Sequence, residues 1–177
     1  QDTRWKGAGV AIPVFSLRSQ QSMGIGEFSD LKLMIDWANK TGLSMIQVLP
    51  VNDTIANKTW QDSYPYAAIS VFALHPLYIN IASIASFENK TIAKSYDKDL
   101  KVLNKLSTVD FESVLNSKFK YLKILFDQEY STLKDNKSYI DFLQKSSDWL
   151  PQYATFCHLR DKYATCNFNQ WPQNTVF

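Results

Sequence analysis

The spacing of hydrophobic positions changes character twice within the first fifty residues. Residues 9–17 (GVAIPVFSL) are almost continuously apolar, the pattern of a strand buried on both faces of a parallel sheet. Pro13 opposes that reading, because it cannot donate to the ladder of a central strand. From Phe28 the period becomes helical: Phe28, Leu31, Ile35 and Ala38 recur on one face. Ser29 stands at an N-cap, Phe28 and Leu33 occupy the staple positions, and Asp30 suits the positive helix end. Gly42 supplies a stop. Residues 45–50 (MIQVLP) then read as a second buried strand. Strand, helix and strand in this space predict a parallel, right-handed βαβ unit.

Beyond Val51 the alternation is lost. Residues 52–66 are polar and aromatic, with turn formers Asn52, Asp53, Asn57 and Asp62. They read as a loop at the carboxyl end of a parallel strand, where ligands bind in α/β folds. Residues 70–81 are apolar again, broken at His75 and Pro76, and predict a short helix or extended piece followed by a short strand. From position 84 no strand pattern remains. Residues 94–105 are charged and solvated. Asp110 caps a long helix with Phe111, Leu115, Phe119, Leu122, Phe126, Tyr130 and Leu133 on its apolar face. Ser138 caps a short helix carrying Tyr139, Phe142 and Leu143. Asp148 caps another, with Pro151 in its first turn and Leu150, Tyr153, Cys157 and Arg160 on one face. The tail from 167 is irregular.

The fold class is therefore α/β, one βαβ unit in 1–83 followed by a mostly helical block in 84–177. Two or three strands complete neither a doubly wound sheet nor a barrel, which needs about 250 residues. The pattern predicts the front part of a larger α/β enzyme.

Composition narrows the partners. The chain has 177 residues, 45% hydrophobic and 20% charged, an ordinary globular composition. Area scaling for its 20.4 kDa gives a folded surface of roughly 8,800 Å² and burial of about 70%. A net charge of +2, with arginine only at 4, 18 and 160, offers no basic stripe for nucleic acid. No apolar run approaches the ~20 residues that span a bilayer, and no basic leader with an apolar stretch opens the chain. A cytoplasmic location is the expectation. Cys157 and Cys166 have neither a CxxC spacing nor a histidine cluster, so they read as free thiols and no metal is expected.

Candidate chemistry is sparse. Gly24 and Gly26 follow a strand and precede a helix, but Ser29 occupies the third position of a dinucleotide fingerprint and a Walker lysine is missing. Two glycines shaping a turn is the stronger reading, and a nucleotide-binding α/β protein rests on this pair alone. His75 has no nucleophile motif beside it and reads as a satisfied, half-buried histidine. Retaining glycosyl transfer needs two carboxylates about 5 Å apart. Asp30, Asp110 and Asp148 have capping explanations, and Asp97 and Asp99 lie in a charged stretch. Asp53 and Asp62 alone occupy the loop at the active end, and neither follows a strand in the manner of a nucleophile. Trp60, Tyr64 and Tyr66 crowd that loop beside Asp62 and Ser63. Such rings stack on the apolar face of a sugar; equally, they pin a loop by packing on one another.

Longer runs carry more. Residues 9–19 (GVAIPVFSLRS), 24–36 (GIGEFSDLKLMID) and 47–54 (QVLPVNDT) resemble the start of the 4-α-glucanotransferases of glycoside hydrolase family 77. Residues 60–81 (WQDSYPYAAISVFALHPLYINI) resemble the disproportionating enzyme 2 type, the maltose-using amylomaltases of plant cytosol and some bacteria. Residues 149–161 (WLPQYATFCHLRD) and 170–172 (QWP) match that type as well.

The resemblance implies an incomplete (β/α)8 TIM barrel, its first βαβ unit followed by a mostly helical inserted subdomain, with 52–66 as a substrate loop. It implies a retaining enzyme that cleaves α-1,4 bonds of maltose and maltooligosaccharides and passes the glucosyl unit to glycogen-like glucans, without cofactor or metal. The family's Pro-Tyr motif matches Pro65 and Tyr66, and its tyrosine lines the donor sugar site. Tyr64 stands where many bacterial amylomaltases have serine. Trp60, Ser63, Asp62, Asn52 and Asp53 are the neighbouring candidates. The family's catalytic carboxylates lie on later strands that no segment here matches, so no catalytic residue is assigned. These 177 residues alone are expected to be inactive and to self-associate through an exposed barrel edge. The alternative is a noncatalytic glucan-binding module.

Overall fold

Residues 6–173 are described by a computed structural model of the chain; Arg4 and the last four residues of the tail, 174–177, lie outside them. Two short strands, β1 (Gly9–Ile12) and β2 (Met45–Val48), pair in parallel with Gly9 opposite Met45 and Ile12 opposite Val48. Helix α1 (Asp30–Lys40) makes the crossover. Four further helices follow: α2 (Lys90–Asn104), α3 (Phe111–Leu133), α4 (Lys137–Lys145) and α5 (Leu150–Tyr163).

Pro13 decides the length of β1. The strand ends at Ile12, and the chain turns through a 3₁₀ segment at Val14–Ser16. Neither strand is buried on both faces as its apolar run predicts. Met45 and Val48 on β2 are exposed, as are Leu33, Ile35 and Trp37 on α1. Among the described residues the sheet has only these two strands, so each has one edge without a strand partner. The accessible surface is 11,873 Å², well above the roughly 8,800 Å² of a compact chain of this mass.

The core lies elsewhere, between the segments 14–27 and 75–81 and the helices α2 and α3. Val14, Met23, Leu77 and Ile81 meet Tyr96 of α2 and Leu115 and Tyr121 of α3 there, with almost no solvent exposure. This one core draws on both sides of position 84. The glycines Gly24 and Gly26 permit the close approach. A Cβ on Gly26 would fall 1.9 Å from the Val14 carbonyl oxygen, and one on Gly24 would fall 2.9 Å from the Leu103 Cβ. Their amides are used internally, on Ser22 and Phe15 carbonyls. They shape a packed turn, and neither glycine amide is free for a phosphate.

Several capping assignments change. Ser29 makes no side-chain cap bond; instead the Asp30 carboxylate accepts from the Glu27 amide at 2.7 Å. Residues 94–105 belong to α2, capped by Asn89, whose side chain accepts from the Thr91 and Ile92 amides. Asp110 caps α3 as its position predicts, accepting from the Ser113 amide. The buried face of α3 is rotated, however. It runs through Val114, Leu115, Lys118, Tyr121 and Leu125, and leaves Phe119, Phe126 and Tyr130 exposed. The cause is the partner: α3 packs on α2 and on 75–81, and Lys118 fills a core position. Asn136, not Ser138, caps α4. Trp149 precedes α5 without a side-chain cap, so Asp148 has no capping role, while Pro151 sits in the first turn as its sequence position predicts. The short strand expected near 81 is replaced by 3₁₀ turns at Pro76–Tyr78 and Ile81–Ser83.

Candidate functional site

The loop after β2 is closed at its base by the backbone of Asp53. The Asp53 amide donates to Ala73 O at 2.9 Å, and its carbonyl accepts from the Ile69 amide at 2.8 Å. One residue earlier, Asn52 bridges Leu74, and its side-chain amide donates to Val71 O at 2.9 Å. Residues 54–68 therefore leave and return at one point beyond the carboxyl end of β2.

Two buried aspartates hold the loop from inside. Asp53 accepts from the Ile55 amide at 2.9 Å and from the Tyr153 hydroxyl at 2.6 Å. Burial raises its pKa, against the lowering effect of those two bonds and of Arg160. Asp62 accepts from the amides of Asn57 at 2.9 Å and Lys58 at 2.6 Å, and its carbonyl accepts from the Thr54 hydroxyl. The Lys58 backbone is left-handed, with φ of 60°, and the Asp62 carboxylate fixes that turn. Both aspartates are committed to internal donors.

The rings are free by contrast. Trp60 is 67% exposed, and Tyr64 and Tyr66 are each 61% exposed. They are therefore not what holds the loop. Tyr64 and Tyr66 flank the half-buried Pro65 with ring centroids 5.5 Å apart, tilted by 52°. Ser63 is exposed beside them. Such a surface offers apolar faces with hydroxyl edges, suited to a flat polyhydroxylated ligand.

Below Trp60 and Ser63 lies a cavity of about 280 Å³ whose walls include Phe15, Ile25, His75, Tyr78 and Phe111. His75 is buried rather than half-buried, and its Nδ1 accepts from the Leu77 amide at 3.3 Å. Burial pulls its pKa down to about 4, Lys118 acts in the same direction, and Asp62 opposes them. The ring is neutral at pH 7, and the chemistry it offers is that of an N-cap. Among the described residues no group of three or more His, Cys, Asp or Glu side chains could hold a metal ion.

Two sets of contacts are not visible in the sequence. The first is on α5: besides Tyr153, Arg160 donates to the Ile55 carbonyl, and Asp161 pairs with Lys58 at 2.9 Å. The second is the buried pair Glu27 and Lys118 beneath the 75–81 segment. Nothing in the sequence pattern marks Lys118, because the apolar period read along α3 runs through Phe119 instead.

The chain is similar to known proteins along its whole length. A family model for 4-alpha-glucanotransferases of glycoside hydrolase family 77 matches residues 12–176. The 4-alpha-glucanotransferase DPE2 of Oryza sativa subsp. japonica is 41% identical over 177 residues, covering 100% of this chain and 19% of that protein. The 4-alpha-glucanotransferases of Chlamydia muridarum and Chlamydia caviae are 34% and 35% identical over 164 and 167 residues, 92% and 93% of this chain. The chain spans 30% of the length of each of these two.

Proposed function

The chain belongs to the 4-alpha-glucanotransferase family, glycoside hydrolase family 77, and on that premise we propose that it carries the donor-sugar loop of a transferase acting on α-1,4-glucans. Maltose and maltooligosaccharides are the donors, and glycogen-like glucans the acceptors. One observation carries the reading: Tyr64 and Tyr66 stand exposed on either side of Pro65, on a loop beyond the carboxyl end of a parallel strand. Loops at that end of parallel strands are where α/β enzymes bind ligands.

In this reading β1, α1 and β2 begin a (β/α)8 barrel, and residues 84–177 form a helical subdomain inserted beside it. The exposed apolar residues of β2 and α1 support this, since barrel strands and helices bury such residues against neighbours. The enzyme works in the cytoplasm by a retaining mechanism whose carboxylates lie outside this chain. Asp53 and Asp62 support that placement, because their carboxylates are taken up by internal donors. For the chain taken by itself the same observation favours a second reading, a glucan-binding module without catalysis.

Titration of the chain with maltotriose, and assay of glucose release from maltose plus glycogen, test both. Saturable sugar binding without glucose release is the expected result. Glucose release by these 177 residues would place the catalytic groups within the chain. Lack of any sugar binding would remove the loop's assigned role.

A further inference from the structure

The substrate loop is held from the far end of the chain. Its base is the backbone of Asp53, bonded to Ala73 and Ile69. Asp53 is 1% exposed. One carboxylate oxygen takes the Ile55 amide, and the other takes the Tyr153 hydroxyl of α5 at 2.6 Å. Two further contacts from α5 reach the same loop, Arg160 on the Ile55 carbonyl and Asp161 on Lys58. Trp149, just before α5, stacks on Phe72 with centroids 5.4 Å apart and lies 6.1 Å from the Tyr153 ring. One helix thus grips the departing strand of the loop at 53, 55 and 58, and its lead-in residue grips the returning strand at 72.

We propose that Tyr153 and Asp53 are positioning residues: their hydroxyl–carboxylate bond fixes the base of the 54–68 loop and thereby sets where Tyr64 and Tyr66 meet the sugar. This rests on the donor-site reading given above. Neither residue touches substrate. Asp53 is closed off by its own donors, and Tyr153 reaches the loop only through it. Arg160 and Asp161 set the rough position of the loop. The bond to Asp53 sets the angle at which the chain leaves β2, because its acceptor belongs to the residue whose backbone closes the loop.

Tyr153→Phe in the chain tests this with two readouts, amide hydrogen exchange and maltotriose affinity. The expected result is an unchanged circular dichroism spectrum and faster exchange confined to the amides of Ile55 and Ile69. Maltotriose affinity should fall about tenfold, the loss expected when the correctly placed loop drops to roughly one-tenth of the population. Retained protection at those amides overturns the proposal. Lost protection with unaltered affinity overturns it too, since the bond would then order a loop that does not place the sugar. If Tyr153→Phe fails to fold, Asp53→Asn carries the same two readouts, as it keeps the side-chain volume and one carbonyl acceptor. Should the unmodified chain bind no maltotriose, the donor-site reading fails, and exchange at Ile55 and Ile69 alone still decides whether the bond holds the loop.

Discussion

The Lys118 ammonium lies 2.6 Å from the Glu27 carboxylate, with both side chains almost completely removed from solvent. Each group is saturated. Lys118 also donates to the carbonyls of Leu77 and Ile79, while Glu27 accepts from the Met23 amide and the Asn80 side chain. The pair therefore joins the turn before α1, the 75–80 segment and α3. Burial pulls the Lys118 pKa down and the Glu27 charge opposes it.

Removing one member leaves the other charged and buried. Lys118→Met should lower unfolding free energy by about 3–5 kcal/mol. The double variant Glu27→Gln, Lys118→Met should regain a substantial part, because the uncompensated charge is gone. Urea unfolding of both proteins checks this; equal losses in the two would show that the charge is not the source of the cost.

His75 should make the fold acid-sensitive. Its pKa falls from 6.5 unfolded to about 4 folded, so between these values the unfolded chain binds the extra proton. Stability then rises with pH across that window, and about 3 kcal/mol is lost on acidification from above 6.5 to below 4. The charged groups acting on the ring are Asp62 and Lys118. His75→Asn, which keeps an acceptor for the Leu77 amide, should flatten this part of the profile in thermal unfolding between pH 4 and 7. An unaltered slope would assign the acid sensitivity to another group.

Two glycines should respond differently to alanine. At Gly26 the new Cβ meets backbone atoms, Val14 O at 1.9 Å and Leu17 N at 2.7 Å. Gly26→Ala should cost on the order of 3 kcal/mol or more, since backbone cannot rotate out of the way. Gly42 has open space around its Cβ position and only a left-handed φ of 74°. Gly42→Ala should cost about 1 kcal/mol. Comparable midpoints for the two variants in denaturant would contradict the packing account.

How much of this was legible in the sequence depends on the range of the interaction. The βαβ order, the loop and the start of α3 follow from local signals, a period change and an Asp110 cap that the chain itself satisfies. The face of α3 does not, because a phenylalanine at 119 and a lysine at 118 are sorted by what α2 and Leu77 present to them. The site shows the same division. Pro65 and Tyr66 are visible through the resemblance as a Pro-Tyr motif, with Tyr64 beside them. That Asp53 points inward is not, because its partner Tyr153 lies 100 residues away and nothing local marks the pairing. Pro13 stood only as an objection to the apolar run of 9–17, and the structure resolves it by ending β1 at Ile12.

The exposed rings separate binding from folding. Tyr66→Ala should leave the unfolding midpoint nearly unchanged, within about 0.5 kcal/mol, as expected for a surface position. It should still weaken maltotriose binding markedly. Calorimetric titration beside thermal unfolding makes the comparison; parallel losses in both would turn Tyr66 into a structural residue.

Unpaired strand edges seek partners. Among the described residues β1 and β2 each leave one edge without a strand partner, near exposed Met45, Val48, Leu33 and Trp37. The chain should self-associate at micromolar concentration, with a mass above 20.4 kDa in light scattering. A monomer throughout a dilution series would show that these edges are blunted.

The grip of α5 on the loop sets an order of events during synthesis. Tyr153 and Arg160 follow their acceptors, Asp53 and Ile55, by 100 and 105 residues. Made at roughly 5–20 residues per second, the chain exposes the loop to solvent for several seconds before its restraints exist. During that interval the base of the loop is held only by its local bonds, those of Asp53 to Ala73, Ile69 and Ile55. Only when α5 emerges can its side chains close the base of the loop.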